Sequence, residues 1–355
     1  MAPVVALEPL RTAVFALSGA VVLLSLVLVC ERSYAGLRKR RSSDREAHLT
    51  AIVYRALRLI SGGQPNLGAL GRFDRRLMRR ILLRLALDVR GETAEGITDL
   101  YRKLGFLQYD LARLRSWRAN IRSNAAADLG LIRSVEALPA LIQALDDPDL
   151  RVRQTAVWAL GQGSDPEISP VLVRLLGDPS RIVARRAQEV LAERGSDSKD
   201  AILAYAGKTA SRAGRLAAIE LIGWLKIAEG AQLLLTFATD MDSETRVKST
   251  KAAAAIGDPR FMEIFSRGLS DARWEVRCQA AKGLSLFGSP DSLPGLAAAL
   301  RDSQWWVRFY AATALSEIGP QGEAALHQAL EDPEQSVREM ARYLLERGDA
   351  VPALP

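Results

Sequence analysis

Apolar side chains recur at a helical period in one stretch near the C-terminal end of the chain, and the same pattern returns along most of its length. Val307, Ala311, Ala314, Leu315 and Ile318 lie at i, i+4, i+7, i+8 and i+11, a spacing that places all five on one face of an α-helix. An aspartate precedes the stretch and a glycine follows it, and both are typical of helix boundaries. The pattern predicts an amphipathic helix with a single buried face.

Copies of this helix follow one another at a period close to 31 residues, with spacings of 31, 31, 31, 33, 29, 31 and 30. We align them on a Val-Arg dipeptide or its equivalent and name the second residue of that pair the anchor. The anchors are Arg122, Arg153, Ala184, Arg215, Lys248, Arg277, Arg308 and Arg338. A small residue stands three positions after every anchor except the fifth, where the alignment gives Lys251.

Six positions before each anchor stands a residue whose side chain can accept a backbone hydrogen bond at a turn or helix start. These residues are Ser116, Asp147, Asp178, Thr209, Asp242, Asp271, Asp302 and Asp332. A second amphipathic segment lies between successive anchors, for example at residues 135–145 and 293–300. Self-similarity at this period is typical of a stacked array in which neighbouring units complete one core. The sequence therefore predicts an all-α fold, an α-solenoid of about eight helical-hairpin repeats over residues 116–348.

The motif Asp-x5-Arg-x2-Ala resembles the HEAT repeat family, in particular its short bacterial variants of the phycobilin-lyase type. The resemblance extends from about Trp117 to Gly348. The pairs that carry it most fully are Asp147/Arg153, Asp271/Arg277, Asp302/Arg308 and Asp332/Arg338. It implies that Asp and Arg form a ladder between repeats and that the anchor-bearing helices line a concave side. Ser116, Ala184 and Thr209 depart from the motif, which leaves the ladder open there. Because repeat folds host scaffolds, adaptors and a few enzymes, the resemblance implies a fold more than a function.

Residues 12–30 carry no charge and are the candidate transmembrane helix. These 19 residues would reach roughly 28 Å as a helix, close to the thickness of a bilayer core. Basic residues cluster after the segment, at Arg38, Lys39, Arg40, Arg41 and Arg45. The positive-inside rule then places the N-terminal tail, residues 1–11, outside and the repeats in the cytoplasm, at a bacterial inner membrane. A cleaved signal peptide, with a cleavage site at residues 33–35, and a lipoprotein processed at Cys30 are the alternatives.

Residues 31–115 are interpreted as a basic juxtamembrane helical region. From Arg38 to Arg84 there are 13 Arg or Lys against 3 Asp or Glu, a local charge of +10, so the rest of a chain with net charge +7 sums to about −3. Six arginines recur every three or four residues beside apolar positions: Arg72, Arg75, Arg76, Arg79, Arg80 and Arg84. We interpret them as contacts for anionic lipid headgroups, with a solvated helix face as the alternative. Nucleic acid also binds such stripes, but the near-neutral repeats disfavour it.

Residue chemistry gives little support for catalysis. The chain has two histidines, His48 and His327, and two distant cysteines, Cys30 and Cys278. There is no disulfide framework or CxxC pattern, and no GxxxxGK[ST], HExxH or GxSxG motif occurs. We therefore expect a protein that is not an enzyme and that has no metal, cofactor or small-molecule substrate. A lyase-type or other HEAT-fold enzyme stays the alternative.

Aromatic residues are in surplus in two adjacent repeats. Trp305 and Phe309 form one i, i+4 pair, which we place away from the apolar face, and Trp306 and Tyr310 form a second pair on its flank. Trp274 stands one repeat before Trp305, so we expect these two rings to be neighbours. Tryptophan, tyrosine and arginine dominate binding hot spots. The predicted partner-binding residues are Trp274, Arg277, Trp305, Trp306, Arg308, Phe309 and Tyr310.

Packing against neighbouring turns is the alternative for these rings, and sugar stacking by exposed tryptophans is a further one. Trp158 and Trp224 fall on apolar helical faces and are predicted to be core residues. The aromatic surplus is thus specific to the repeats that contain Trp274 and Trp305.

The layout of the chain also resembles bacterial membrane-anchored HEAT proteins that accompany membrane glycosyltransferases of exopolysaccharide pathways. The features that carry this resemblance are the N-terminal span, the basic lead-in and the Trp-Trp-Val-Arg repeat near the end. The resemblance implies a membrane-associated protein partner. We expect a membrane-anchored scaffold that binds and positions or regulates such a partner, followed by a flexible tail at residues 349–355.

Overall fold

Residues 44–57 and 71–347 are described by the computed structural model, and every regular element in those two ranges is helical. The predicted membrane span and the C-terminal tail lie outside the described residues. Among the described helices, none combines the length and the apolar character that a bilayer crossing needs. The chain divides into two compact units, Met1–Asp110 and Leu111–Pro355.

In its described part, the first unit consists of amphipathic helices that bury their apolar faces. Their bounds are α1 over residues 44–57, α2 over Arg72–Asp88, α3 over Glu92–Lys103 and α4 over Phe106–Leu114, which ends in the second unit. Val53, Met78, Leu82 and Tyr101 have no exposed surface. Gly105 adopts a left-handed backbone with φ of 74° between α3 and α4. A helix break at this glycine is what the sequence predicts.

Two buried carboxylates hold the first unit together. Asp74 accepts hydrogen bonds from both Nε and Nη2 of Arg45 at 2.7 Å. Asp110 has no exposed surface and accepts two hydrogen bonds from Arg79, at 3.1 and 2.6 Å, and a third from the Tyr101 hydroxyl. Because a buried carboxylate without such donors is strongly unfavourable, Arg79 has a structural role in this unit.

The second unit is a stack of helical hairpins in which a first, anchor-bearing helix alternates with a second helix. The first helices are α5 Ala119–Ile132, α7 Leu150–Gly161, α9 Arg181–Glu193, α11 Arg212–Trp224, α13 Ser243–Ile256, α15 Trp274–Ser285, α17 Trp305–Glu317 and α19 Gln335–Arg347. The second helices are α6 Leu138–Gln143, α8 Ile168–Leu172, α10 Lys199–Lys208, α12 Ala231–Phe237, α14 Met262–Gly268, α16 Leu293–Ala299 and α18 Pro320–Ala329. Each first helix packs against the next first helix, so the predicted all-helical array is confirmed.

Small residues let successive first helices approach one another closely. Ala156, Ala187 and Ala218, each three positions after an anchor, have no exposed surface. A Cβ added at Gly130 would lie 2.6 Å from the Cα of Ala159 in the next first helix. Since real Cβ atoms do not approach a backbone atom so closely, only glycine fits at this position.

Ion pairs between an arginine and an aspartate 25 residues later join successive repeats, and we name this series the ladder. Arg277 donates Nε and Nη2 to Asp302 at 2.5 and 2.9 Å. Two further pairs are bidentate, and two others are single contacts. The bidentate pairs are Arg122–Asp147 and Arg246–Asp271. The single contacts are Arg215–Asp240 at 3.1 Å and Arg153–Asp178 at 3.8 Å.

Most ladder residues also form a hydrogen bond within their own turn. Arg277 donates Nη1 to the carbonyl of Asp271, six residues earlier, at 2.9 Å, and Asp302 accepts the backbone N–H of Gln304 at 2.9 Å. Burial by itself would raise the pKa of Asp302, but the hydrogen bonds from Arg277 and Gln304 outweigh it and hold that pKa below its usual value. One Asp therefore starts its own helix and binds the preceding repeat.

The structure corrects the fifth anchor. Arg246, not Lys248, forms the ladder pair with Asp271, and its spacing of 31 residues from Arg215 removes the apparent 33- and 29-residue repeats. Lys248 instead forms an ion pair with Glu220 of α11. Three positions after Arg246 stands a fully buried serine, so the small-residue rule has no exception here. The error arose because Val247-Lys248 imitates the Val-Arg dipeptide two residues too late.

The ladder is interrupted where the sequence lacks its motif. Ala184 stands at the third anchor and Thr209 stands where its aspartate partner would be. The hydroxyl of Thr209 still accepts the backbone N–H of Ser211 at 3.1 Å. The turn is therefore kept at this repeat while the ion pair between repeats is lost.

We expect Asp302→Ala to reduce the free energy of unfolding by about 1–3 kcal/mol, because it leaves partly buried guanidinium donors of Arg277 without an acceptor. The matched control is Glu263→Ala, which breaks an exposed i, i+4 pair with Arg267 that is worth about 0.3–0.5 kcal/mol. Urea unfolding followed by circular dichroism measures both variants. Equal losses in the two variants would show that the ladder does not stabilise the stack.

Candidate partner-binding surface

Aromatic rings gather at the first turn of α17. Trp305 is the first residue of this helix and is 42% exposed. Its ring stacks on Phe309 with centroids 5.1 Å apart and an interplanar angle of 11°. Trp306 meets Trp305 edge to face at 4.7 Å, and Tyr310 lies beyond it at 6.4 Å. The exposed ring of Trp305 is therefore held in place by other rings.

The structure overturns the prediction that Phe309 and Tyr310 face a partner. Phe309 is 2% and Tyr310 is 8% exposed. Phe309 contacts the ring of Tyr343 in α19 at 6.3 Å, and Tyr310 lies under Lys282 of α15 at 5.7 Å. A first helix inside the stack has a neighbour on each side and buries two faces, whereas the sequence pattern was interpreted as one buried face. Burial also raises the pKa of Tyr310.

Two other predicted partner-binding residues are not placed with Trp305. Trp274 is partly buried, and among the described residues its ring makes no ring contact with Trp305. Arg277 is bound to Asp302 in the ladder. The hydrogen bond to Asp302 raises the pKa of Arg277, so this guanidinium is already paired. The predicted surface is thereby reduced to Trp305, Trp306 and Arg308.

Arg308 departs from the ladder. Its Nη1 donates to the carbonyls of Asp302 at 2.8 Å and Ser303 at 3.2 Å, as in five other anchor arginines. Its Nε is buried and has no hydrogen-bond partner among residues 44–57 and 71–347. The position 25 residues later is Pro333, and the aspartate before it, Asp332, forms an ion pair with Arg301 instead. Arg308 is therefore fixed at its turn without the carboxylate that the pattern predicts.

Trp224 is 60% exposed, which contradicts its prediction as a core residue. It ends α11, nine positions after the anchor Arg215. Leu286, nine positions after the anchor Arg277, is also exposed, at 56%. Trp224 is the last residue of α11 and Leu286 directly follows α15, so both stand where a first helix ends. Trp158 is partly buried.

Three of the six predicted lipid-binding arginines are engaged within the first unit. Arg75 donates to the carbonyl of Leu104 at 2.8 Å, and Arg84 forms an ion pair with Glu46 at 2.7 Å. Arg79 binds the buried Asp110 described above. These contacts leave three of the six predicted arginines as candidates for binding anionic lipid headgroups.

The other three predicted arginines remain available. Arg72, Arg76 and Arg80 are exposed and make no hydrogen bond or ion pair with any described residue. They stand at i, i+4 and i+8 on α2. Phe73 and Leu87 on the same helix are 60% and 55% exposed. At 100° per residue these five positions fall on one side of α2, and we name this side the basic-apolar face.

Reactive groups are scarce in the described ranges. No group of three or more His, Cys, Asp or Glu side chains within them could hold a metal ion. Cys278 is buried, and burial raises the pKa of its thiol to about 11, so the thiol stays protonated at neutral pH. A groove of about 530 Å³ beside α12 and α14 contains Glu263 and Asp271. Both carboxylates are in ion pairs, with Arg267 and Arg246.

The sequence profile of HEAT repeats matches the chain over residues 111–192 and 262–346. These two segments are HEAT repeats. The unmatched stretch between the two HEAT segments contains Thr209, where the ladder aspartate is missing, and the misleading dipeptide Val247-Lys248. In the structure it nevertheless continues the alternation of first and second helices from α10 to α13.

Several solved structures of helical-repeat proteins are similar to the chain. YibA of Escherichia coli is 20% identical, with 73% of this chain and 99% of that chain covered and a TM-score of 0.43. The CpcE–CpcF complex of phycocyanin lyase from a Nostoc species is also 20% identical, with 67% and 94% covered and a TM-score of 0.31. Kap121p is 12% identical, with 84% and 45% covered and a TM-score of 0.42. No curated protein sequence matches the chain. These scores are too low to carry an inference about function.

We expect Phe309→Ala to lower the free energy of unfolding by about 3–5 kcal/mol, since it leaves a cavity between repeats. Trp305→Ala removes a ring that is already 42% exposed. We expect it to lower the free energy of unfolding by about 1 kcal/mol, the contribution of one aromatic pair. Urea unfolding of the two variants separates the structural ring from the surface ring. Similar losses in both would contradict this division of the aromatic cluster.

Proposed function

We propose that the chain is a non-catalytic HEAT-repeat scaffold that binds a protein partner at the first turn of α17. The observation that carries the proposal is the exposed Trp305 ring, stacked on the buried Phe309. A large ring held in one orientation before binding loses little conformational freedom when a partner covers it. Tryptophan is also the residue type most enriched in binding hot spots, and its polar N–H tolerates an exposed site.

The partner that we propose is a membrane protein, and a glycosyltransferase of an exopolysaccharide pathway is the class that the layout of the sequence suggests. In this proposal residues 12–30 span the inner membrane once, the N-terminus lies outside and the repeats lie in the cytoplasm. The scaffold would then position or regulate the enzyme at the membrane surface. A lyase-type enzyme is a weaker proposal, because the carboxylates of the described groove are already in ion pairs.

We expect Trp305→Ala in the full chain to weaken partner binding by about 30-fold or more, the effect of losing a hot spot worth 2 kcal/mol. Chemical crosslinking in intact membranes, followed by mass spectrometry, identifies the partner, and titration of the purified pair measures affinity. Trp224→Ala is the matched control, since this tryptophan is also exposed, at 60%, but stands at the opposite end of its helix. Unchanged affinity of Trp305→Ala for every captured protein would refute the site.

The basic-apolar face of α2 supports a second binding role, contact with anionic lipid. Arg72, Arg76 and Arg80 are exposed and form no ion pair within the described ranges, and basic residues near an anionic surface contribute about 1 kcal/mol each. Phe73 and Leu87 add exposed apolar area beside them, as in helices that lie in a membrane interface. The proposal uses three arginines of the predicted stripe and leaves the paired ones to the fold.

A triple variant, Arg72→Ala with Arg76→Ala and Arg80→Ala, should detach this face from anionic lipid, with a loss of about 3 kcal/mol, or roughly 100-fold in the local equilibrium. The full chain is reconstituted in phosphatidylcholine vesicles with or without phosphatidylserine, and a fluorophore on Phe73→Cys, with the native cysteines replaced, reports burial in lipid. The control replaces Arg151, Arg185 and Arg267, three exposed arginines of the repeats. A signal that is independent of phosphatidylserine would contradict the proposed binding of anionic lipid.

A further inference from the structure

The ladder offers an internal standard for what an anchor arginine binds. In Arg122, Arg246 and Arg277, the edge formed by Nε and Nη2 donates to one carboxylate, while Nη1 donates to carbonyls of the arginine's own turn. Arg308 keeps the Nη1 contacts, so its side chain is held as in the other three. What it lacks among the described residues is the carboxylate.

The cause is a change of one residue in the repeat length. Three ladder pairs with bidentate geometry are 25 residues apart, whereas Asp332 stands 24 residues after Arg308. Asp332 still accepts the backbone N–H of Glu334 at 3.0 Å and shapes its turn. Its carboxylate forms an ion pair with Arg301. Arg301 directly precedes the ladder residue Asp302, and no other ladder aspartate directly follows an arginine. The fold thus supplies Asp332 with another partner, and no described carboxylate takes its place at Arg308.

Arg153 provides the nearest comparison. Its Nε is also buried without a hydrogen bond, but the carboxylate of Asp178 lies 3.8 Å away, so its charge is balanced at the same edge. Arg308 has no carboxylate within ion-pair distance among the described residues. A buried donor without an acceptor carries a desolvation cost of about 1–3 kcal/mol. A carboxylate that binds Nη2, which has no hydrogen-bond partner among the described residues, would balance the charge of this guanidinium.

We propose that Arg308 is the docking point for a carboxylate of the protein partner, an Asp or Glu side chain next to an apolar residue that covers Trp305. This inference rests on the proposed function and identifies the chemical group of the partner, a carboxylate, that Arg308 binds. Trp305 and Arg308 both lie at the N-terminal end of α17, since Arg308 reaches back to the carbonyls of Asp302 and Ser303. A planar guanidinium held by its own turn is oriented in advance for an ion pair with a carboxylate.

The docking site can be tested without knowing the partner. The probe is the blocked tripeptide Leu-Glu-Leu, compared with Leu-Gln-Leu, added to the full chain labelled with nitrogen-15 in its arginine side chains. The Nε–H resonance of Arg308 is assigned by its loss in Arg308→Lys. We expect it to shift with the Glu peptide and saturate at a Kd on the order of 1–10 mM. The Gln peptide should bind at least about tenfold more weakly, since the charge-assisted hydrogen bonds are lost.

An Arg308 resonance that responds equally to both peptides, or to neither, would overturn the assignment. The matched control for partner affinity is Arg338→Ala, because Arg338 makes the same Nη1 contacts to its own turn, at 2.6 and 2.8 Å, but has Gln335 where Trp305 stands. We expect Arg308→Ala to weaken the purified complex about tenfold or more and Arg338→Ala to leave it unchanged. If Trp305→Ala weakens the complex but Arg308→Ala does not, this inference fails and the proposed function stands. If neither variant weakens it, the proposed function fails.

Discussion

The second unit depends on the ladder aspartates, each of which binds both its own turn and the preceding repeat. In a bidentate ladder pair such as Arg277–Asp302, the aspartate accepts a backbone N–H at the start of its own helix and binds the arginine of the repeat before it. Local turn geometry and the packing of neighbours are thereby coupled through a single side chain. Because each hairpin is too small to bury its own apolar faces, this coupling sets how one hairpin is aligned on the next, and the buried alanines then complete the contact.

Much of this fold could be predicted from the sequence, because the ladder motif and the helical period report on the same contacts. The helix pairs and the loss of the ladder at Ala184 follow directly from residue types at fixed spacing. The fifth anchor could not be placed, since Val247-Lys248 matches the dipeptide and only the contact between Arg246 and Asp271 identifies the true register. A dipeptide is a short signal, whereas the Asp six residues before an anchor and the Asp 25 residues after it constrain the register from both sides.

The candidate surface was predicted less well than the fold, for a physical reason. A helical wheel assigns one buried face, but a helix within a stack has neighbours on two sides. For this reason Phe309 is buried, and of the four rings of α17 only Trp305 is exposed, at 42%. In the first unit the same limitation concealed which arginines are structural. Arg79 and Arg80 are adjacent in sequence, yet one binds a buried carboxylate and the other faces outward. Only the position of the acceptor, far along the chain, distinguishes them.

The difference between 31 and 30 residues in the last repeat has a consequence for how such chains diversify. A one-residue deletion in a globular core usually disturbs contacts in many directions, but in a linear array it affects a single joint and its two neighbours. Here the turn at Asp332 survives the shortening, since it needs only the aspartate and the backbone N–H of Glu334. A change in loop length can therefore leave one anchor arginine without its ladder aspartate. Related arrays can in this way acquire different binding specificities while their helices keep the same residues.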